Sequence, residues 1–168
     1  MLKMRQVALD SKGSIVFCEN SFECDNIAHQ YLNEDREAFY DRVEKMQRDL
    51  FKDKSFESKI ELIESGIYLS IFILDEDPRI RKAVAKYGYG LPQLANDPNG
   101  EVRIEVAKHG IRLYKLAHDS DEMVRAEVAR QGYELDKLIN DPCVLVREQA
   151  EKWLCDHHMT IEDYKQNN

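Results

Sequence analysis

Three groups of residues in this chain have types that could do chemistry, and none has the spacing that chemistry requires. Cys18, Cys24 and His29 offer donors for a zinc ion, and Cys155, His157 and His158 offer a second set. Structural zinc takes four ligands, usually from compact paired knuckles. Neither group holds a C-x-x-C pair, so both read as incidental core or surface residues, and no metal or other cofactor is expected. His109 and His118 could form an acid–base pair, but both fall at variable positions of the pattern set out below. There is no G-x-S-x-G, no P-loop and no Gly-rich dinucleotide turn. No catalytic residue is assigned, and an enzyme is not expected.

The residues with regular spacing are arginines, aspartates and glycines. Ile80-Arg81, Val102-Arg103, Val124-Arg125 and Val146-Arg147 recur every 22 residues. Asp75, Asp97, Asp119 and Asp141 keep the same step, as do Gly66, Gly88, Gly110 and Gly132, then Leu69, Leu91, Leu113 and Leu135. A fixed period of this size predicts a stacked solenoid, because no single unit can bury its apolar stripe alone. A degenerate first unit spans 53–74, units two to four begin at Asp75, Asp97 and Asp119, and a fifth begins at Asp141 and loses the pattern after Trp153.

Each unit reads as two helices. The Asp-Pro of Asp97-Pro98 and Asp141-Pro142 predicts a helix start, with aspartate accepting from free amides and proline in the first turn. Val102, Val106 and Ala107 make one apolar stripe on a helix of about three turns. Gly110 ends that helix in a left-handed conformation. Leu113 and Leu116 then suit a short helix, α or 3₁₀, and Pro92 fits the first turn of its counterpart. The alanines at 85, 107 and 129 let neighbouring helices approach closely.

Aspartate and arginine recur six residues apart, as in Asp97/Arg103. That register predicts an internal ladder, each guanidinium holding the aspartate of its own unit or of an adjacent one. The alternative is an arginine stripe that binds phosphate.

Asp, then Val-Arg, then Val-Ala, with Leu-x-x-Leu after a glycine, resembles the HEAT-like repeat superfamily over residues 53–154. The short unit is most similar to the compact leucine-rich-repeat variant, which alternates an α-helix with a short 3₁₀ helix. The resemblance implies a right-handed α-solenoid of about five two-helix repeats that serves as an interaction scaffold. An iron–sulfur cluster found in one such relative depends on a cysteine-rich segment that this chain lacks.

Residues 1–52 stand outside the repeat. Met4 to Leu9 and Ser14 to Cys18 flank a glycine-containing turn and predict a β-hairpin. Ile27, Tyr31 and Leu32, then Phe39, Val43, Met46 and Leu50, predict helices from about Cys24 to 52. The expected organisation is an N-terminal hairpin-and-helix cap over 1–52, a repeat solenoid over 53–156, and a C-terminal tail over 157–168. In that tail Thr160 to Asp163 cap a last turn before frayed residues.

The 168-residue chain is 43% hydrophobic, enough for a core, and carries a net charge of -8 with a pI near 5.2. That balance argues against a non-specific phosphate-backbone binder. No apolar run approaches a bilayer span, and no export signal precedes the first unit, so a cytoplasmic protein with reduced cysteines is expected. The expected function is protein–protein binding through one solenoid face, with a protein partner of basic character. Repeat scaffolds vary their exposed positions, and Tyr87, Tyr89, His109, Arg112, Tyr114 and Tyr133 fall near one inter-helix edge. Tyrosine offers contact area at little entropic cost. Tyr89 and Tyr133 could instead fill the corner beside each glycine. The alternative function is nucleic-acid binding through Arg79, Lys82, Lys86, Lys108, Arg112 and Lys115, which are interleaved with Glu101 and Glu105.

Overall fold

In the computed structural model the chain is mainly helical, and the structure describes residues 6–9, 15–18, 45, 49 and 51–167. The chain divides into two compact units, Met1–Ile67 and Tyr68–Asn168. In the first, β1 (Gln6–Leu9) pairs antiparallel with β2 (Ile15–Cys18), setting Val7 opposite Phe17. Helix α1 (Phe56–Glu64) is capped by Ser55, which accepts from the Ser58 N–H, and Phe51 and Ile63 are buried. The helices expected over 24–52 fall almost wholly outside the described residues, as do Cys24 and His29.

The second unit alternates short and long helices at the period of the sequence. They are α2 (Leu69–Phe72), α3 (Pro78–Tyr87), α4 (Leu91–Leu94), α5 (Gly100–Lys108), α6 (Leu113–Leu116), α7 (Glu122–Arg130), α8 (Leu135–Leu138), α9 (Val144–Asp156) and α10 (Ile161–Asn167). The long helices pack in succession, α3 on α5, α5 on α7 and α7 on α9, and each short helix packs on the long helix that follows it. The apolar stripe predicts the core well. Val84, Val102, Val106, Val124, Val128 and Val146 are all fully buried, and so are Ala85, Ala107 and Ala129. Each buried valine is worth about 1.5–3 kcal/mol relative to exposure.

The helix starts differ from the expectation. Asp97 and Asp141 do not cap; the cap lies two residues later, at Asp77, Asn99 and Asp121. Each cap accepts from the N–H two residues on, at 2.9 Å. Pro78 is inside the first turn of α3, whereas Pro98 and Pro142 precede their helices. The reason is competition for the carboxylate. Asp97 Oδ1 already accepts from the Asn99 N–H at 2.9 Å and from Arg81, so it builds the turn that leads into the helix and leaves capping to Asn99. Cys143 occupies the same register before α9 and makes no side-chain cap bond.

A second regularity has no counterpart in residue type. Tyr68, Gly90, Arg112 and Glu134 precede the four short helices, and all are left-handed, with φ of 60°, 62°, 58° and 49°. The geometry of the stack imposes this conformation on tyrosine, arginine and glutamate, which rarely adopt it unaided.

The last long helix shows what the repeat glycine does. Where Gly88, Gly110 and Gly132 turn the chain at positive φ, the register next supplies Leu154. Helix α9 therefore runs on to 13 residues, and His158 takes the left-handed position at φ 53°. Trp153 then lies against Gly132, stacked by His157 at 3.7 Å and met edge-on by Tyr164, whose hydroxyl donates to Gly132 O at 3.0 Å. Thr160 and Asp163 cap α10 reciprocally, and α10 extends to Asn167, longer than the single turn expected. No helix among the described residues is long and apolar enough to cross a membrane.

Candidate functional site

The ladder residues are engaged with one another. Arg81 donates from Nε and Nη2 to Asp97 at 2.6 and 2.8 Å, Arg103 to Asp119 at 2.8 and 2.7 Å, and Arg125 to Asp141 at 2.7 and 2.9 Å. Each guanidinium thus holds the aspartate of the following unit, not that of its own. Its Nη1 instead donates to its own unit's aspartate main-chain carbonyl, at 2.7–2.8 Å. The arginine side chains are 13–14% exposed and the aspartates 4–9%. Two parallel charge-assisted bonds out of water make this a strong, directional contact. The Arg125 hydrogen bonds hold the Asp141 carboxyl below the ordinary aspartate range against the opposing effect of burial. At Asp119 burial pushes upward most, but the Arg103 hydrogen bonds, the Asp121 N–H and the charges of Arg103 and Lys115 together outweigh it, and its carboxyl is also lowered. Arginine edges occupied in this way are not open to phosphate.

The fourth arginine differs. Arg147 donates Nη1 to Asp141 O at 2.7 Å and Pro142 O at 3.0 Å, as its counterparts do. The residue sixteen positions on is Asp163, which accepts from the Thr160 N–H and hydroxyl instead. The ladder ends here.

Beside the ladder lies an open groove of roughly 690 Å³. Its walls are the turn at Asn96, Asp97 and Pro98 on one side, and Tyr114, Lys115 and His118, on and just after α6, with Ser120 on the other. Arg103 and Asp119 also line it. Tyr114 is 56% exposed. Arg112 donates to its hydroxyl at 2.7 Å and sets its guanidinium 5.9 Å from the ring centre, a cation–π distance. Lys115 reaches back across the groove to Ala95 O at 3.0 Å and to Asn96 Oδ1. His118 Nδ1 contacts Tyr114 O at 3.2 Å, and its Nε2 faces Glu134 Oε2 at 3.8 Å. Glu134 Oε2 is buried without a hydrogen-bond partner among the described residues.

The site residues expected from the sequence separate into two places. Tyr114 lines the groove, and Arg112 stands beside it through the Tyr114 hydroxyl. Tyr87 and His109 are exposed at the ends of α3 and α5, the His109 ring lying over Gly88. Tyr89 and Tyr133 are partly buried after their glycines, and their N–H groups close the preceding helices on Val84 O and Val128 O. The groove adds Lys115 and His118, which in the sequence belong only to the basic strip and to the histidine pair. Lys115 lies on the short helix and His118 just after it, and no residue type there marks a groove. In the basic strip itself, Arg79, Lys82 and Lys108 are neutralised by Asp77, Glu101 and Glu105 at 2.7–2.9 Å. Among the described residues no three histidines, cysteines or carboxylates gather to hold a metal, and Cys143 and Cys155 are free thiols.

No family model, no curated protein and no solved structure matches this chain.

Proposed function

We propose that the repeat portion is a compact α-solenoid of the HEAT-like kind, and that the chain is a non-enzymatic module that binds a protein partner in the groove beside α6. The observation that carries this reading is a division of labour among its charged residues. The arginine ladder is consumed in joining one unit to the next, while Tyr114, with Arg112 upon it, is left out in solvent at the mouth of a groove. An exposed aromatic held by a neighbouring side chain is pre-organised for contact and loses little entropy on binding. Helices already stacked and capped add little further ordering cost.

Nucleic acid is the weaker reading, since half of the basic strip is neutralised by carboxylates. The experiment is affinity capture from host extract with and without nuclease, comparing the native chain with Tyr114→Ser. A protein retained by the native chain and lost with Tyr114→Ser supports the groove. Material that disappears on nuclease treatment would overturn it.

A further inference from the structure

Rows of basic residues on this chain differ in what holds them. Lys82 and Lys108 end on carboxylates, as do the arginines of the ladder. Arg112 and Lys115 end on neutral oxygens: the Tyr114 hydroxyl, and the Ala95 carbonyl with the Asn96 amide. Both are thereby fixed in place, and neither forms an ion pair among the described residues, although the Lys115 charge is felt by the Asp119 carboxyl already held by Arg103. The carboxylates that line the groove, Asp97 and Asp119, are already bound to Arg81 and Arg103.

From this contrast we propose that the groove takes an acidic, extended peptide segment of a partner protein, its carboxylates on Arg112 and Lys115 and an apolar side chain against Tyr114. The inference rests on the binding-module reading and names the chemistry of the partner. It also reverses the expectation drawn from net charge. A total of -8 favours a basic partner at long range. At physiological ionic strength, however, charges beyond about 8 Å are largely screened. At the groove the nearby cations decide, and Arg112 and Lys115 are the two that end on no carboxylate among the described residues. A volume of roughly 690 Å³ lies in the range of sites that bury a compact ligand or a few residues of a peptide.

The backbone supplies a clean variant. Arg112 has φ 58°, and the same register in the preceding unit is Gly90 at φ 62°. Arg112→Gly removes the cation while relieving backbone strain, so a loss of binding cannot be put down to unfolding. Lys115→Gln removes the second charge and keeps a donor. The test is fluorescence anisotropy at about 150 mM salt. The probes are a short labelled peptide of alternating aspartate and leucine, its asparagine and lysine counterparts, and a single-stranded oligonucleotide. The expected result is that the aspartate peptide binds in preference to the other three. The double variant should bind it roughly tenfold more weakly, the loss of two exposed ion pairs, with unchanged or raised Tm. Failure of the aspartate peptide to bind, equal binding of the asparagine peptide, preference for the lysine peptide or the oligonucleotide, or indifference to the double variant would each overturn the proposal. A captured protein that needs Tyr114 but offers a basic segment to it would sink this charge assignment alone and leave the binding module standing.

Discussion

Arg103 does not bond the Asp97 carboxylate six residues before it; it grips Asp119, sixteen residues ahead, through Nε at 2.8 Å and Nη2 at 2.7 Å. Its Nη1 meanwhile donates to the main-chain carbonyl of Asp97 at 2.7 Å. One guanidinium therefore ties the entry of its own long helix to the entry of the next. Repeated at Arg81 and Arg125, the contact makes each unit's turn a part of its neighbour's packing.

Removing one partner of such a shielded pair leaves the other carboxylate poorly solvated. Arg103→Ala should therefore cost about 3 kcal/mol in urea unfolding. Arg147→Ala, which loses only carbonyl contacts, should cost about 1 kcal/mol. Equal losses in the two variants would mean that the ladder adds nothing beyond its carbonyl bonds.

The lowered Asp119 and Asp141 carboxyls set a pH dependence. A carboxyl whose folded value lies below its unfolded value stabilises the fold fully above the unfolded value, about 3.9 for aspartate. That contribution is lost as pH falls through the lowered folded value. The native chain should hold a flat Tm at neutral pH and drop in acid below about pH 4. Asp119→Asn should be less stable at neutral pH and show a shallower acid drop. Parallel Tm curves for the two proteins would remove the ladder from the account of acid unfolding.

Two glycines in one register should respond differently to the same change. Gly110 has φ 71° and open space where a side chain would begin, so Gly110→Ala carries only backbone strain, about 1 kcal/mol. Gly110→Val should cost more, because a β-branched residue is a worse fit at positive φ. At Gly132, φ 76°, a Cβ would meet the Trp153 indole. Gly132→Ala should be the more destabilising alanine change and should red-shift tryptophan fluorescence, which reports on Trp153 alone because the chain has one tryptophan.

Helix α9 lacks the cap its counterparts have. Cys143 stands where Asp77, Asn99 and Asp121 each accept from the N–H two residues on. Cys143→Asp should raise stability by about 1 kcal/mol. Thermal melting with no gain would show that this helix start satisfies its amides another way.

Local sequence pattern is enough to set the phase of the helices in the second unit. The valine stripe at Val102 and Val106, the glycine after it and the Leu113/Leu116 pair are local patterns, and period and turn chemistry act within one unit. The extension of α9 is legible in the same way, from Leu154 at a glycine position. Tertiary structure decided the rest. A six-residue register between aspartate and arginine is equally compatible with a bond inside a unit and a bond across units. Only the stacking translation brings Arg103 to Asp119, and that engagement moves the cap from Asp119 to Asp121. The left-handed backbone at Arg112 and Glu134 has no signal in those residue types, because it is imposed by the turn between two packed layers. The groove at Tyr114 follows from both: it opens where two successive turns and one short helix are held apart by contacts that no single unit contains.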